Sequence, residues 1–138
     1  MNVTGVQTCA LPISNWNPDM IYFSNTEVRP TPAYEVQRLF GNYSGDRYVT
    51  SELKTDQPEL GYRLGASVVK DSKTGKTFVK LVNALPVPLN LSIEGLSLSG
   101  AHGEGFSGKP EDQKLQCITL QLGDRITLPP YSLSVVEL

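Results

Sequence analysis

Hydrolysis and proton transfer need carboxylates, histidines or thiols brought together, and this chain offers them sparsely. Glu27, Glu35, Asp46, Glu52, Asp56 and Glu59 are scattered, and no spacing among them suggests an acid/base couple. His102 is the only histidine, so neither a metal site nor an imidazole-based triad has a partner set to draw on. It reads as a solvated residue of a loop. Cys117 falls in a strand-like run and reads as a small structural residue rather than a nucleophile. Gly75-Lys76-Thr77 has the ending of a phosphate-binding loop. That loop also needs a glycine where Lys70 stands, and a helix where the strand-like residues 77–84 follow. A hairpin turn is the better reading. Asn42-Tyr43-Ser44 and Asn90-Leu91-Ser92 match the glycosylation sequon, a pattern frequent by chance, and the second lies in a predicted strand. Residue pattern alone therefore yields no catalytic residue, no metal ligand and no cofactor.

The elements that would position a site change character along the chain. Residues 1–14 carry no charge. A secretory signal needs a basic start and an apolar run of roughly 7–15 residues. Here no Lys or Arg precedes Arg29, and the apolar run Cys9-Ala10-Leu11 stops at Pro12. A membrane span, at about 20 apolar residues, is further still from this pattern. Residues 3–13 read Val-Thr-Gly-Val-Gln-Thr-Cys-Ala-Leu-Pro-Ile. That string resembles, without a mismatch, the translation of a common short-read sequencing adapter, and Ser14 suits the codon its last base would begin. Residues 1–14 are expected to be non-native and disordered, and are set aside as a fusion scar would be.

The net charge of −2 then belongs wholly to residues 15–138, with both signs interspersed. A nucleic-acid footprint would be basic and clustered. Neither nucleic acid nor membrane is expected as a partner. Setting Cys9 aside leaves one cysteine, which cannot form an internal disulfide, so the compartment is not legible.

Residues 20–23, Met-Ile-Tyr-Phe, form a short continuous apolar run, the look of a strand buried on both faces. Thr31-Pro32 offers an N-cap followed by proline at the first helical position. Val36, Leu39, Phe40 and Tyr43 then make one apolar stripe, and Gly41 is placed to end the helix. This is one β/α unit with no sheet to join. From Tyr48 the signals become strands and turns. Residues 61–70 and 77–84 flank a polar turn and predict a hairpin. Leu89, Leu91 and Ile93 alternate with polar residues, as do Ile118, Leu120 and Leu122. Residues 132–138 make the last strand, and 99–114 read as a long Gly-rich loop. The fold class is mainly β: an antiparallel, jelly-roll-like β-sandwich preceded by one leftover β/α unit. Pattern leaves two functions open, a piece of a larger enzyme and a sugar-binding or structural sandwich module.

Three stretches go further: "NWNPDMIYFSNTEVRPTPAYEVQRLFGNYSGD", "ASVVKDSKTGKTFVKLVNALPVPLN" and the terminal "LPPYSLSVVEL". Together they resemble the C-terminal end of family 51 alpha-L-arabinofuranosidases, from about Asn15 to Leu138, most specifically over residues 16–41. The resemblance implies a (β/α)8 barrel followed by a sandwich. Residues 15–47 would be the eighth strand and helix, and 48–138 the sandwich, which accounts for the solitary β/α unit. It also implies retaining hydrolysis of terminal alpha-L-arabinofuranosyl residues in arabinan and arabinoxylan, within arabinose metabolism and hemicellulose degradation. Retention uses two carboxyl groups about 5–5.5 Å apart. The family's catalytic glutamates belong to the fourth and seventh barrel strands, upstream of anything here, so no catalytic residue carries over.

Substrate contacts are a separate matter. Barrel sites lie at the C-terminal ends of the strands, which makes Ser24, Asn25 and Glu27 candidate substrate-binding residues, with Trp16 as a pocket wall. Asn25 leads, because an amide both donates to and accepts from a sugar hydroxyl. The implied partner is an arabinose-containing polysaccharide or oligosaccharide, bound by the parent without cofactor or metal. Whether the parent is an oligomer stays open. Beyond residue 47 the aromatics are Tyr48, Tyr62, Phe78, Phe106 and Tyr131, with no evident row, which favours a bracing role for the sandwich.

Overall fold

The computed structural model describes residues 20–109, 112 and 115–138. The adapter-like segment and Trp16 lie outside the described residues. Compactness divides the chain into two units, between Arg38 and Leu39.

In the first unit, β1 (Ile21–Phe23) pairs antiparallel with β2 (Val28–Pro30), Ile21 opposite Pro30 and Phe23 opposite Val28. The expected strand buried on both faces is therefore one arm of a two-stranded ribbon. Ile21 and Phe23 are 37% and 38% exposed, because a two-stranded ribbon brings neither arm the flanking strands and covering layers that bury a central strand. Helix α1 (Pro32–Asn42) follows as its sequence predicts. The Thr31 hydroxyl accepts from the Tyr34 amide at 3.3 Å and donates to the Met20 carbonyl at 2.9 Å. One side chain thus caps the helix and ties it to the ribbon's start. Gly41 does not end the helix, which runs to Asn42. It is not among the glycines with positive φ, so it never takes the left-handed turn expected of it.

The second unit is built on a six-stranded antiparallel sheet in the order β3-β4-β5-β10-β7-β8. Its strands are β3 (Arg47–Val49), β4 (Leu64–Lys70), β5 (Thr77–Asn83), β7 (His102–Ser107), β8 (Gln116–Thr119) and β10 (Ser132–Glu137). A short ribbon of β6 (Leu89–Leu91) and β9 (Ile126–Leu128) forms the other layer. Val68, Val79, Leu81 and Val136 from the large sheet meet Ile126 and Leu128 of β9, with Leu120 closing the cluster. Leu89, Leu91, Ile93, Ile118 and Leu122 pack against it, as their alternation predicts. The described residues are mainly β, and the second unit is two antiparallel layers around one core. A two-turn 3-10 helix (Pro58–Arg63) leads into β4, so this strand starts three residues later than the apolar pattern suggests.

The expected loop at 99–114 contains a strand. β7 pairs with both β10 and β8, and His102 opens it rather than sitting in a loop. The reason is in its glycines. A Cβ on Gly103 would lie 2.8 Å from Leu120 Cβ, and one on Gly105 would strike the Leu133 carbonyl oxygen. Glycine at alternate positions lets neighbouring segments approach the strand closely, which composition alone reads as flexibility.

At the strand ends Asn83, fully buried, donates to the carbonyls of Val87 (3.0 Å) and Pro129 (2.8 Å) and accepts from the Leu85 amide (3.0 Å). The opposite face of the large sheet carries the last turn of α1. Tyr43 donates its hydroxyl to Glu104 Oε1 at 2.7 Å and sets its ring edge-on to Phe78, centroids 5.5 Å apart. Lys80 Nζ donates to the Phe40 carbonyl at 3.2 Å and lies 4.5 Å from the Phe40 ring centroid. Burial holds the Lys80 ammonium below its ordinary pKa.

Candidate functional site

The candidate residues fall on the turn that joins β1 to β2. The Ser24 amide donates to the Glu27 carbonyl at 2.7 Å and closes the turn. Ser24 Oγ in addition accepts from the amides of Thr26 (3.3 Å) and Glu27 (3.2 Å), and lies 3.4 Å from Thr26 Oγ1. A serine hydroxyl that serves its own backbone in this way is what makes Ser a turn former. Ser24, Asn25 and Glu27 are thereby brought together and exposed. Glu27 Oε1 receives Arg29 Nε at 2.7 Å, and that hydrogen bond, with the charge behind it, raises the Arg29 pKa. Both side chains are more than half exposed, so the pair orients the carboxylate more than it stabilises the fold.

The chemical repertoire of this turn is an amide, two hydroxyls and one carboxylate beside a guanidinium. Such groups bind hydroxyls. They do not make a double displacement, which takes two carboxyl groups about 5–5.5 Å apart, and Glu27 is the only acidic residue between Ile21 and Pro30. Among the described residues no three His, Cys, Asp or Glu side chains converge as a metal site would require, and no helix is long and apolar enough to cross a membrane. Cys117 is exposed on β8. Gly75-Lys76-Thr77 closes the β4–β5 hairpin, with Gly75 at φ 77° and the Lys76 ammonium on Glu137, and holds no phosphate cradle.

The sequence reading missed β2, three residues long and fully exposed, whose only signals are Val28 and the Pro30 that ends it. It also missed the second role of Thr31. A threonine before proline announces a cap, but not its bond to a residue eleven positions earlier.

No family model matches the chain. Alpha-L-arabinofuranosidase 1 of Arabidopsis thaliana is 36% identical over 66 residues, 48% of this chain and 9% of that protein. Its relatives are alpha-L-arabinofuranosidases. The extracellular exo-alpha-L-arabinofuranosidase of Streptomyces chartreusis is likewise 36% identical over 63 residues, 46% of this chain and 8% of its own length. An arabinose-bound GH51 alpha-L-arabinofuranosidase superposes on 89% of the chain with TM-score 0.66 and 26% identity, the match covering 21% of that structure. The catalytic domain of GH30 xylanase C from Talaromyces cellulolyticus, at 12% identity and TM-score 0.62, shares the fold alone. The chain spans less than a tenth of each curated relative it matches.

Proposed function

We propose that this chain is the C-terminal part of a retaining alpha-L-arabinofuranosidase that releases terminal arabinofuranosyl residues from arabinan and arabinoxylan, and that the chain by itself is inactive. On this reading residues 15–47 are the last strand and helix of the catalytic barrel and 48–138 the sandwich that braces it. The observation that carries it is the 36% identity to an arabinofuranosidase over nearly half the chain. The turn after β1 supports it as well. Ser24, Asn25 and Glu27 follow β1 in the segment that leads, through the short strand β2, to α1, and barrel enzymes draw their site residues from the segments after their strands. Asn25 then serves as a donor and acceptor for a furanose hydroxyl, Ser24 shapes the turn, Glu27 takes a hydroxyl while held by Arg29, and Trp16 walls the pocket.

The purified 138-residue chain is expected not to hydrolyse an aryl alpha-L-arabinofuranoside, having neither proton donor nor nucleophile in place. Turnover above a heat-killed control that survives repurification would sink the proposal. Genomic DNA upstream of the Asn15 codon is expected to continue into barrel-coding sequence. In the enzyme so recovered, Asn25→Ala should raise KM more than it lowers kcat, as expected for a binding group.

A further inference from the structure

One end of the sandwich carries an exposed tyrosine and arginine and a half-buried second tyrosine, on backbones that are already fixed. Tyr62 is 79% exposed, more than any other large hydrophobic residue described. Single exposed aromatics are ordinary, but this one is held. Arg63 Nε donates to the Tyr62 hydroxyl at 3.1 Å, and the guanidinium carbon lies 5.4 Å from the ring centroid. The 3-10 helix beneath them is closed by Leu60 N to Gln57 O at 3.0 Å, and Ala84 N donates to Arg63 O at 2.9 Å. One residue on, Leu85 O accepts the Tyr131 amide at 3.1 Å, and Tyr131 O accepts the Gly108 amide, also at 3.1 Å.

Tyr131 is the one described non-glycine residue with positive φ, at 48°. A bulky side chain held there costs on the order of 1–3 kcal/mol, and strain of this kind concentrates at ligand sites. A glycine or asparagine would make the same turn without it. Tyr62, then Tyr131, also raise the Arg63 pKa, so the three groups share one electrostatic neighbourhood.

We propose that Tyr62, Arg63 and Tyr131 form a glycan-binding surface, in which the phenol rings stack on the C–H faces of sugar residues and the guanidinium donates to neighbouring hydroxyls. Because the backbones are bonded in place before a ligand arrives, little ordering is left to oppose binding. Glu59, on the same short helix, disfavours a polyanion. The choice of a glycan as ligand rests on the reading of the parent as a glycan hydrolase.

The test is a titration of the full chain, followed by NMR, with arabinan-, arabinoxylan- and cellulose-derived oligosaccharides. Saturable millimolar binding of the arabinose-containing sugars is expected. Tyr62→Ala and Tyr131→Asn should each weaken it by at least about tenfold, and Arg63→Lys should weaken it by removing the planar donor pair. Unchanged circular dichroism in the variants confirms that the fold is kept. Absence of saturable binding, or equal affinity in wild type and variants, overturns the surface. Binding of cellulose fragments alone supports the surface and counts against the arabinose reading of the parent.

Discussion

Asp71 organises the β4–β5 turn from within. Its carboxylate accepts the Lys73 amide at 2.9 Å and the Thr74 hydroxyl at 2.7 Å, while Asp46 reaches across to the Ser72 amide at 2.7 Å. The Thr74 hydrogen bond first, then the Lys73 amide, hold Asp71 below its ordinary pKa of 3.8, and the Ser72 amide does the same for Asp46. A carboxyl whose folded pKa is depressed contributes stability above its unfolded value and loses it as pH falls through the folded one. Both contributions are therefore fully present well above 3.8 and are lost progressively as pH falls below it through the depressed folded values. The melting temperature of Asp71→Asn should fall less steeply than that of wild type as pH drops below about 4. Equal slopes would mean that the turn does not sense this charge. The same bonds explain why the Gly-Lys-Thr string here is a turn and not a phosphate site. Its neighbouring hydroxyl and amides are already occupied.

At the scale of elements β7 is the informative strand. In register with β10 it places Gly103 opposite Val136 and Gly105 opposite Ser134, both on the face that meets the core. Gly105→Ala would drive its Cβ into the Leu133 carbonyl, which is backbone and cannot swing aside. Overpacking of this kind costs about 1–3 kcal/mol, here at the upper end. Gly41→Ala is the control. It lies in α1 with nothing within 4 Å of the added methyl, so it should stabilise by about 0.5–1 kcal/mol. Urea unfolding of the two variants measures both. A Gly105→Ala midpoint equal to wild type would show that β7 does not pack as described. The alternating glycines are a strand signal when paired with His102, Glu104 and Phe106 between them, but a loop signal when merely counted.

For the whole molecule the open question is where the stable body begins. Tyr43 and Phe40 are bonded to β7 and β5, and Leu39 is 2% exposed. The ribbon before them is a two-stranded hairpin, a form of marginal stability in water, and α1 alone is shorter than the roughly 12–15 residues at which an isolated helix holds. Limited proteolysis should cut the ribbon and the first turns of α1 and leave a resistant product starting near Leu39. A product starting at Tyr48 would mean that the last turn of α1 is no part of the body. Survival of the ribbon for as long as the sandwich would mean that both units unfold together.

Periodicity in the sequence determined the antiparallel class, the alternating inward residues of β6 and of the segment 118–122, the β4–β5 hairpin and the cap of α1 at Thr31. These features depend on neighbours within a few residues, where side-chain direction alternates strictly and turn chemistry is local. Three others were decided only by the tertiary structure. β10 lies at the centre of the sheet between β5 and β7. The glycines of β7 admit Leu120 and the backbone of β10 to close range, and Glu104 and Lys80 receive the end of α1. Each of these depends on contacts between residues far apart in the chain. Lys80 meets Phe40 forty positions away, and Tyr43 meets Glu104 across sixty-one. No local pattern encodes such a partner, because the free energy that selects it is the burial shared by both.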